Sequence, residues 1–265
     1  MMCVMKYFNL VLKLFIAALL LSGVLLFHPW KSSAGAAAHR AVLVELFTSE
    51  GCSSCPPADE LLGRLRQEMA GQGIQVIPLG FHVDYWNSLG WQDRFSSAGF
   101  SRRQEQYALS LGLEGPYTPQ MIVDGRMEFV GNNAGHAQRA ITEAASGPAQ
   151  AEVSLALASA DRLSIQVKLP PRSGVVNLAL AITEDHLSTR VGAGENNGRE
   201  LRHAAVVREF RALGHFSDET YKAVVPLVMA KEWKPEDLRA VAFVQQGDSG
   251  KVLGAASVSL RAQPR

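Results

Sequence analysis

Two cysteines separated by two serines, Cys52 and Cys55, are the residues whose spacing most directly indicates chemistry in this 265-residue chain. A disulfide stabilises a fold mainly by closing a long loop, so a bridge between positions this close restricts the unfolded chain very little. Such a pair can instead exchange disulfides with a partner: Cys52 attacks first, and Cys55 then releases the product. The spacing therefore favours thiol–disulfide exchange over a structural bridge.

Two other interpretations of the cysteine pair stay open. The two thiolates could hold copper or zinc with His82 as a third ligand, and the protein would then be a metal carrier. A structural zinc site normally has four ligands, and the sequence has no second Cys-x-x-Cys to complete one. Alternatively, the pair is inert and the chain is a non-catalytic binding module. The favoured interpretation needs no cofactor and no metal.

The segments on either side of the cysteines predict a turn from a strand into a helix. Residues 41–47 form a short apolar run typical of a buried strand, and residues 61–69 have apolar side chains at helical spacing. Pro56 and Pro57 suit the first turn of that helix, where a missing N–H costs nothing. The positive end of the helix dipole stabilises a thiolate there. We therefore expect Cys52 to be an exposed nucleophile.

The elements that follow predict a mixed sheet flanked by helices. Asp124-Gly125 is a strong two-residue hairpin signal between two short strands, and Asn132 or Asn133 can cap a last helix that runs to about residue 145. The other predicted elements are a strand over residues 74–81, an amphipathic helix over 94–111, and the hairpin strands over 120–123 and 126–130. This α/β segment covers residues 39–147.

Cysteines at such a turn, followed much later by Thr118-Pro119 at the start of a hairpin, resemble the thioredoxin superfamily. The resemblance implies that Pro119 is cis and lies against the active disulfide, and that Thr118 presents its backbone to a bound chain. It also implies an acidic residue on the preceding strand that assists proton transfer. Glu45 is a near match, one residue out of register, so it either faces Cys55 or pairs with an arginine. Gly51 replaces the usual tryptophan.

Four longer segments, residues 44–59, 81–93, 117–125 and 195–203, are similar to the bacterial secreted group called domain-of-unknown-function family 1223. Together they span nearly all of the chain after its first 38 residues. Membership of this family implies a thioredoxin-like fold and no known substrate.

Polar and aromatic side chains cluster after the second predicted strand, at the end of the sheet where α/β proteins place their sites. Aromatic rings beside polar groups suit a groove for a peptide or small ligand. The alternative is a lid packed on the domain. The predicted substrate-binding residues are His82, Asp84, Tyr85, Trp86 and Tyr117.

Residues 148–265 predict seven short strands and therefore an all-β, sandwich-like domain after the α/β domain. This segment has no cysteine, so we expect it to position the redox domain or bind a partner. Glu195, Arg199 and His203 could reach the first domain, but a solvated loop is the expected arrangement.

Composition and the first residues indicate where the protein works. A hydrophobic content of 47% is that of a packed globular protein, and a net charge of +1 is too small to recruit nucleic acid. Lysines, a short apolar run and alanines over residues 1–38 predict a secretory signal peptide or an uncleaved anchor. We expect a periplasmic or secreted protein. Its expected partners are thiol- or disulfide-containing envelope proteins and a membrane electron donor or acceptor.

Overall fold

The computed structural model describes residues 40–261, and the predicted signal peptide lies outside these residues. Within the described range, no helix is long and apolar enough to cross a bilayer. The helices are α1 (Pro56–Ala70), α2 (Ala98–Leu111) and α3 (Ala134–Ser146). The strands are β1 (Val42–Thr48), β2 (Val76–His82), β3 (Gln120–Val123), β4 (Met127–Val130), β5 (Glu152–Ser159), β6 (Arg162–Lys168), β7 (Val176–Glu184), β8 (Leu187–Arg190), β9 (Glu200–His203), β10 (Val206–Phe216), β11 (Thr220–Pro226), β12 (Leu238–Gln246) and β13 (Val252–Ser259).

The main sheet has eight strands in the order β13-β12-β7-β10-β2-β1-β3-β4. β1 runs parallel to β2 and antiparallel to β3, and β10 meets β2 at one pair, Val206 with Gly80. Strands from both predicted domains thus share one sheet, and the described residues 40–261 belong to one compact unit. The protein is a mixed α/β fold, and the separate C-terminal β domain expected from the sequence is not confirmed.

The remaining strands explain why the C-terminal half resembles a sandwich in its sequence. β5, β6 and β11 form a three-stranded antiparallel sheet whose residues alternate between inward and outward positions. Leu163, Ile165 and Val167 of β6 pack against apolar side chains of β7 and β12. β7 and β12 are instead buried along most of their length because the other face of the main sheet is also covered. Such two-sided burial selects a continuous apolar run.

Local signals fix the elements nearest the cysteines. Pro56 and Pro57 occupy the first two positions of α1, which carries Leu61, Leu62 and Leu65 on its buried face. The hairpin turn at Asp124 has positive φ at both central residues, 48° there and 66° at the following glycine, as an Asp-Gly turn of this kind requires. At α3, the Asn133 side chain accepts a hydrogen bond from the N–H of His136 and caps the helix.

Candidate active site

Cys52 and Cys55 form a disulfide at the junction between β1 and α1. Cys55 is the N-cap residue of α1, and its carbonyl accepts hydrogen bonds from the N–H groups of Ala58 at 2.8 Å and Asp59 at 3.1 Å. The Ser54 hydroxyl lies 3.4 Å from the Cys52 Sγ atom. The predicted placement of the pair at a strand-to-helix turn is confirmed.

The expected exposure of Cys52 is wrong, because both cysteines are 0% exposed. Ser53 and Ser54 between them are exposed, so the disulfide lies directly beneath the surface. The segment between β8 and β9 covers it. The buried Asn196 side chain donates hydrogen bonds to the carbonyls of Glu50 at 2.9 Å and Cys52 at 3.0 Å.

The same covering segment makes a second contact with the cysteine loop. Glu195 accepts a hydrogen bond from the Ser53 N–H at 2.9 Å, and His203 at the end of β9 lies 3.2 Å from the Glu50 carboxylate. Glu195 and His203 therefore both reach the N-terminal segment. The expectation of a solvated loop is wrong for the buried His203, whereas Glu195 makes its contact at the exposed surface. Arg199 stays within its own loop and donates to Asn196 at 2.7 Å.

Trp86 connects the cysteine loop to the segment around Pro119. Its Nε1 atom donates to the Thr118 Oγ1 atom at 2.9 Å, and a Cβ atom added at Gly51 would lie 3.3 Å from the Trp86 Cβ. The Thr118–Pro119 peptide bond is cis. A Cβ at Gly131 would contact both Pro119 and Ala58 in the first turn of α1, so Pro119 lies next to the start of that helix.

Glu45 does not lie beside the cysteines. Side chains alternate along β1, so Glu45 shares a face with Leu43 and Phe47 and lies opposite α1. Its carboxylate pairs with Arg103 of α2, with Oε2 2.6 Å from Nε and Oε1 3.0 Å from Nη2. The offset of one residue therefore decides against a proton-transfer role, and the arginine pairing is the arrangement found.

Asp59, in the first turn of α1, is instead a buried acid that contacts the cysteine loop. The Thr48 hydroxyl donates to its Oδ2 atom at 3.0 Å, and its backbone N–H donates to the Cys55 carbonyl. Burial raises the pKa of the Asp59 carboxyl to about 6, against the opposing charges of His203 and His82.

His82 belongs to a buried polar cluster rather than to a groove. It is 1% exposed, and its Nδ1 atom lies 2.6 Å from the Asp93 Oδ2 atom. Burial alone would lower the pKa of His82, but the charge and hydrogen bond of Asp93 raise it above its ordinary value. Burial alone would raise the pKa of Asp93, but the charge and hydrogen bond of His82 and hydrogen bonds from two backbone N–H groups hold this pKa below its usual range.

The other predicted substrate-binding residues lie at the surface near Thr118. Tyr85 is 39% exposed, and its hydroxyl donates to the Gln104 side chain, which in turn donates to the Tyr117 carbonyl. Partial burial raises the pKa of Tyr85 to about 12. Trp86 and Tyr117 are half-buried. Asp84 is also half-buried and accepts a hydrogen bond from Ser101. Tyr85, Trp86 and Tyr117 are thus brought together, whereas His82 is not part of this surface.

The model of one protein family matches residues 43–245, which is more than half of the chain. The description of that family reads "Protein of unknown function (DUF1223)". The chain belongs to the DUF1223 family. Among solved structures, it is similar to the X-ray structure of an Agrobacterium tumefaciens protein, with 28% identity and a TM-score of 0.67. That alignment covers 84% of this chain and 96% of the other.

Two further comparisons add nothing to the assignment of this DUF1223 chain. A domain of the outer membrane lipoprotein Omp28 from Porphyromonas gingivalis aligns over 43% of this chain and 89% of its own, with 14% identity. Its TM-score of 0.24 is too low to carry an argument. None of the curated proteins matches this sequence.

The site of the DUF1223 chain includes residues that the sequence analysis missed. Asp59 and Asn196 have no distinctive neighbours in the sequence, and Asn196 reaches the cysteine loop from a segment that is far away in the chain. Glu50 is adjacent to Gly51 in a predicted turn, yet it is completely buried. Burial alone would raise the pKa of Glu50, but contacts with His203 and Trp91 hold this pKa below its ordinary value.

Proposed function

We propose that this protein is a thiol–disulfide oxidoreductase in which Cys52 and Cys55 cycle between dithiol and disulfide. The observation that carries the proposal is the disulfide itself: it closes a loop of two residues at the N-terminus of a 15-residue helix, beside the cis Thr118–Pro119 bond. A bridge this short adds little stability, whereas a helix N-terminus stabilises the thiolate that exchange requires.

Each step of the exchange forms one sulfur–sulfur bond and breaks another. A thiolate of the partner attacks the Cys52 Sγ atom, the Cys52–Cys55 bond breaks, and Cys55 leaves as a thiolate. A second partner thiolate then attacks the partner sulfur of the mixed disulfide, so that the partner is oxidised by two electrons and the pair is reduced. The Ser54 hydroxyl, 3.4 Å from the Cys52 sulfur, can donate to a Cys52 thiolate. In the opposite direction, the Cys52 thiolate attacks a partner's disulfide.

We also propose that residues 40–146 have a thioredoxin-like arrangement. Their element order, β1-α1-β2-α2-β3-β4-α3, with β3 antiparallel to β1, supports this assignment. Thr118, beside the cis proline and joined to Trp86, is then the backbone that a bound chain would contact, and Tyr85 and Tyr117 would line the surface next to it.

Exchange requires the covering segment to move, because both sulfurs are buried. Replacing Asn196 with alanine removes two hydrogen bonds to the cysteine loop, each with a net worth of about 1 kcal/mol. We expect the Asn196→Ala variant to be reduced by dithiothreitol about 30-fold faster than the wild type, since the two bonds together are worth about 2 kcal/mol and about 1.4 kcal/mol corresponds to a factor of ten. Stopped-flow or quenched alkylation measures this rate.

Asn197→Ala is the matched control for this prediction, because Asn197 is the exposed neighbour on the same loop. We expect its reduction rate to equal that of the wild type. Equal rates in both variants would mean that the disulfide reacts without movement of this segment. Urea unfolding of both variants ensures that the rates are compared in folded protein.

The direct test of the function is catalysis of exchange between glutathione and a disulfide-bonded peptide. We expect turnover by the wild type and none by the Cys52→Ser variant.

We propose that the partners are thiol- or disulfide-containing proteins of the cell envelope, reached after export of the chain. A metal carrier that uses the two thiolates is not favoured, because each sulfur is bonded to the other in the structure. If the chain is instead a non-catalytic binding module, neither the wild type nor the Cys52→Ser variant should show turnover.

A further inference from the structure

Next to the cysteine loop lies a cluster of buried titratable side chains that the exchange reaction does not use. Its members come from the loop after β1, the first turns of α1, the end of β2 and the end of β9. Each is at most 7% exposed, although acids and histidines are rarely buried so deeply without a specific partner. The members are Glu50, Asp59, His82 and His203.

Three members of this cluster can reach a common point. One ligand atom each of Asp59, His82 and His203 lies within 4.8 Å of the others. Two imidazoles and a carboxylate form a donor set that binds divalent first-row metals.

His203 provides an independent indication that the cluster holds a ligand. Its side chain is 1% exposed, and neither ring nitrogen has a hydrogen-bond partner among the residues that the structure describes. Its Nε2 atom lies 3.2 Å from the Glu50 Oε1 atom, but the two groups are not aligned for a hydrogen bond, and Oε1 also lacks a partner. A buried polar atom without a partner has lost the hydrogen bonds that it made to water, which destabilises the fold. Coordination of a cation by His203 would provide the missing partner and would place a positive charge beside Glu50.

The surrounding hydrogen bonds hold the other donors in orientations suited to a metal. Asp93 holds the Nδ1 atom of His82 at 2.6 Å, which leaves Nε2 of that ring free. Thr48 holds the Asp59 Oδ2 atom at 3.0 Å, which leaves Oδ1 free. Trp91 donates to the Glu50 Oε2 atom at 2.8 Å, which leaves Oε1 free. Outer partners of this kind fix the ring orientation of metal-ligating histidines and raise their basicity.

We propose that Asp59, His82 and His203 bind one divalent first-row metal ion. Two nitrogens and one oxygen suit Zn²⁺, and the buried Glu50 carboxylate, whose Oε1 atom lies 3.2 Å from the His203 Nε2 atom, adds a second negative charge beside the site. Three protein ligands leave a fourth coordination position open. The ion would tie the N-terminal segment to β9. No sulfur takes part, so this site is distinct from a carrier that uses the two thiolates.

The test uses the full chain after chelator treatment and dialysis, with Zn²⁺ as the probe. Elemental analysis and competition with a chromogenic chelator give stoichiometry and affinity. We expect one Zn²⁺ per chain for the wild type and for the Cys52→Ser/Cys55→Ser variant, and binding at least about 100-fold weaker for His203→Phe, which removes a ligand but keeps a ring of similar size. Asp93→Asn, which weakens an outer partner, should bind about 10–100-fold less tightly.

His186→Ala is the matched control, because His186 is an exposed histidine that also pairs with a carboxylate, that of Asp237. We expect it to bind Zn²⁺ as the wild type does. Absence of stoichiometric Zn²⁺ in the wild type would overturn the proposal, as would unchanged binding by His203→Phe. Loss of binding in the double serine variant would assign the metal to the thiolates instead.

A second measurement does not depend on the folding of any variant. Co²⁺ bound by the wild type should give visible ligand-field bands of a site with nitrogen and oxygen donors, without a thiolate charge-transfer band. A thiolate band, or no spectrum beyond that of free Co²⁺, would contradict the proposed ligands.

Discussion

Replacing Cys55 with serine is expected to trap a mixed disulfide at Cys52. In the wild type, Cys55 is adjacent to the sulfur of any adduct and releases the partner in an intramolecular step. In Cys55→Ser that step is lost, so incubation with glutathione disulfide should convert nearly all of the variant into an adduct. The wild type should show almost none. Intact-mass spectrometry, before and after reduction, measures the adduct.

Two control variants show whether the glutathione adduct forms specifically at Cys52. Cys52→Ser keeps the same number of thiols and places the remaining one at the N-cap of α1, and we expect it to form little adduct. The Cys52→Ser/Cys55→Ser variant keeps Cys3 and reports any reaction there. An adduct on Cys52→Ser as large as that on Cys55→Ser would reverse the assigned order of attack. No adduct on either single variant would contradict exchange at this pair.

Arg103→Met is expected to lower the free energy of unfolding by about 3–5 kcal/mol, since it leaves the Glu45 carboxylate buried without its cation. Arg103 and Glu45 are 9% and 1% exposed, and the guanidinium also donates to Tyr107 and Gln245. The guanidinium lies over the Phe210 ring, 4.9 Å from its centre. Urea unfolding monitored by circular dichroism gives the change in free energy.

An exposed ion pair provides the control for this large effect. Arg64 pairs with Glu68 at a spacing of four residues on α1, with side chains 55% and 36% exposed. We expect Arg64→Met to change stability by less than about 1 kcal/mol. An Arg103→Met/Glu45→Met double variant should recover much of the lost stability, because it removes both buried charges. A loss below about 1 kcal/mol in Arg103→Met alone would mean that the carboxylate finds other partners.

The elements of the fold could be predicted well because their signals are local. The strand before the cysteines, the prolines at the start of α1, the Asp124-Gly125 turn and the Asn133 cap each depend on neighbours in the sequence. The separate C-terminal β domain is not confirmed, and the local signals could not decide it because strand pairing is non-local. The unbroken apolar runs of β7 and β12 were nevertheless a signal of two-sided burial, which distinguishes them from the alternating β5, β6 and β11.

The features of the candidate site could be predicted from the sequence only where they depend on a single segment of the chain. The position of the cysteine pair and the cis bond before Pro119 agree with the sequence pattern. The burial of Cys52 did not follow from the sequence, because the segment that contacts the cysteine loop through Asn196 lies 144 positions away. For Glu45 the sequence left two alternatives open, because a shift of one residue along a strand exchanges the two faces of the sheet, and the pairing with an arginine is the one found.

The measurement that tests the account most directly is the redox equilibrium of the pair in glutathione buffers, with the oxidised fraction determined by alkylation. We expect a reversible two-electron transition, in which a tenfold change in the equilibrium constant corresponds to about 30 mV, and a potential above about −300 mV. The double serine variant should show no transition. A pair that stays oxidised to potentials below about −300 mV would behave as a structural disulfide and would contradict exchange as the function of this protein.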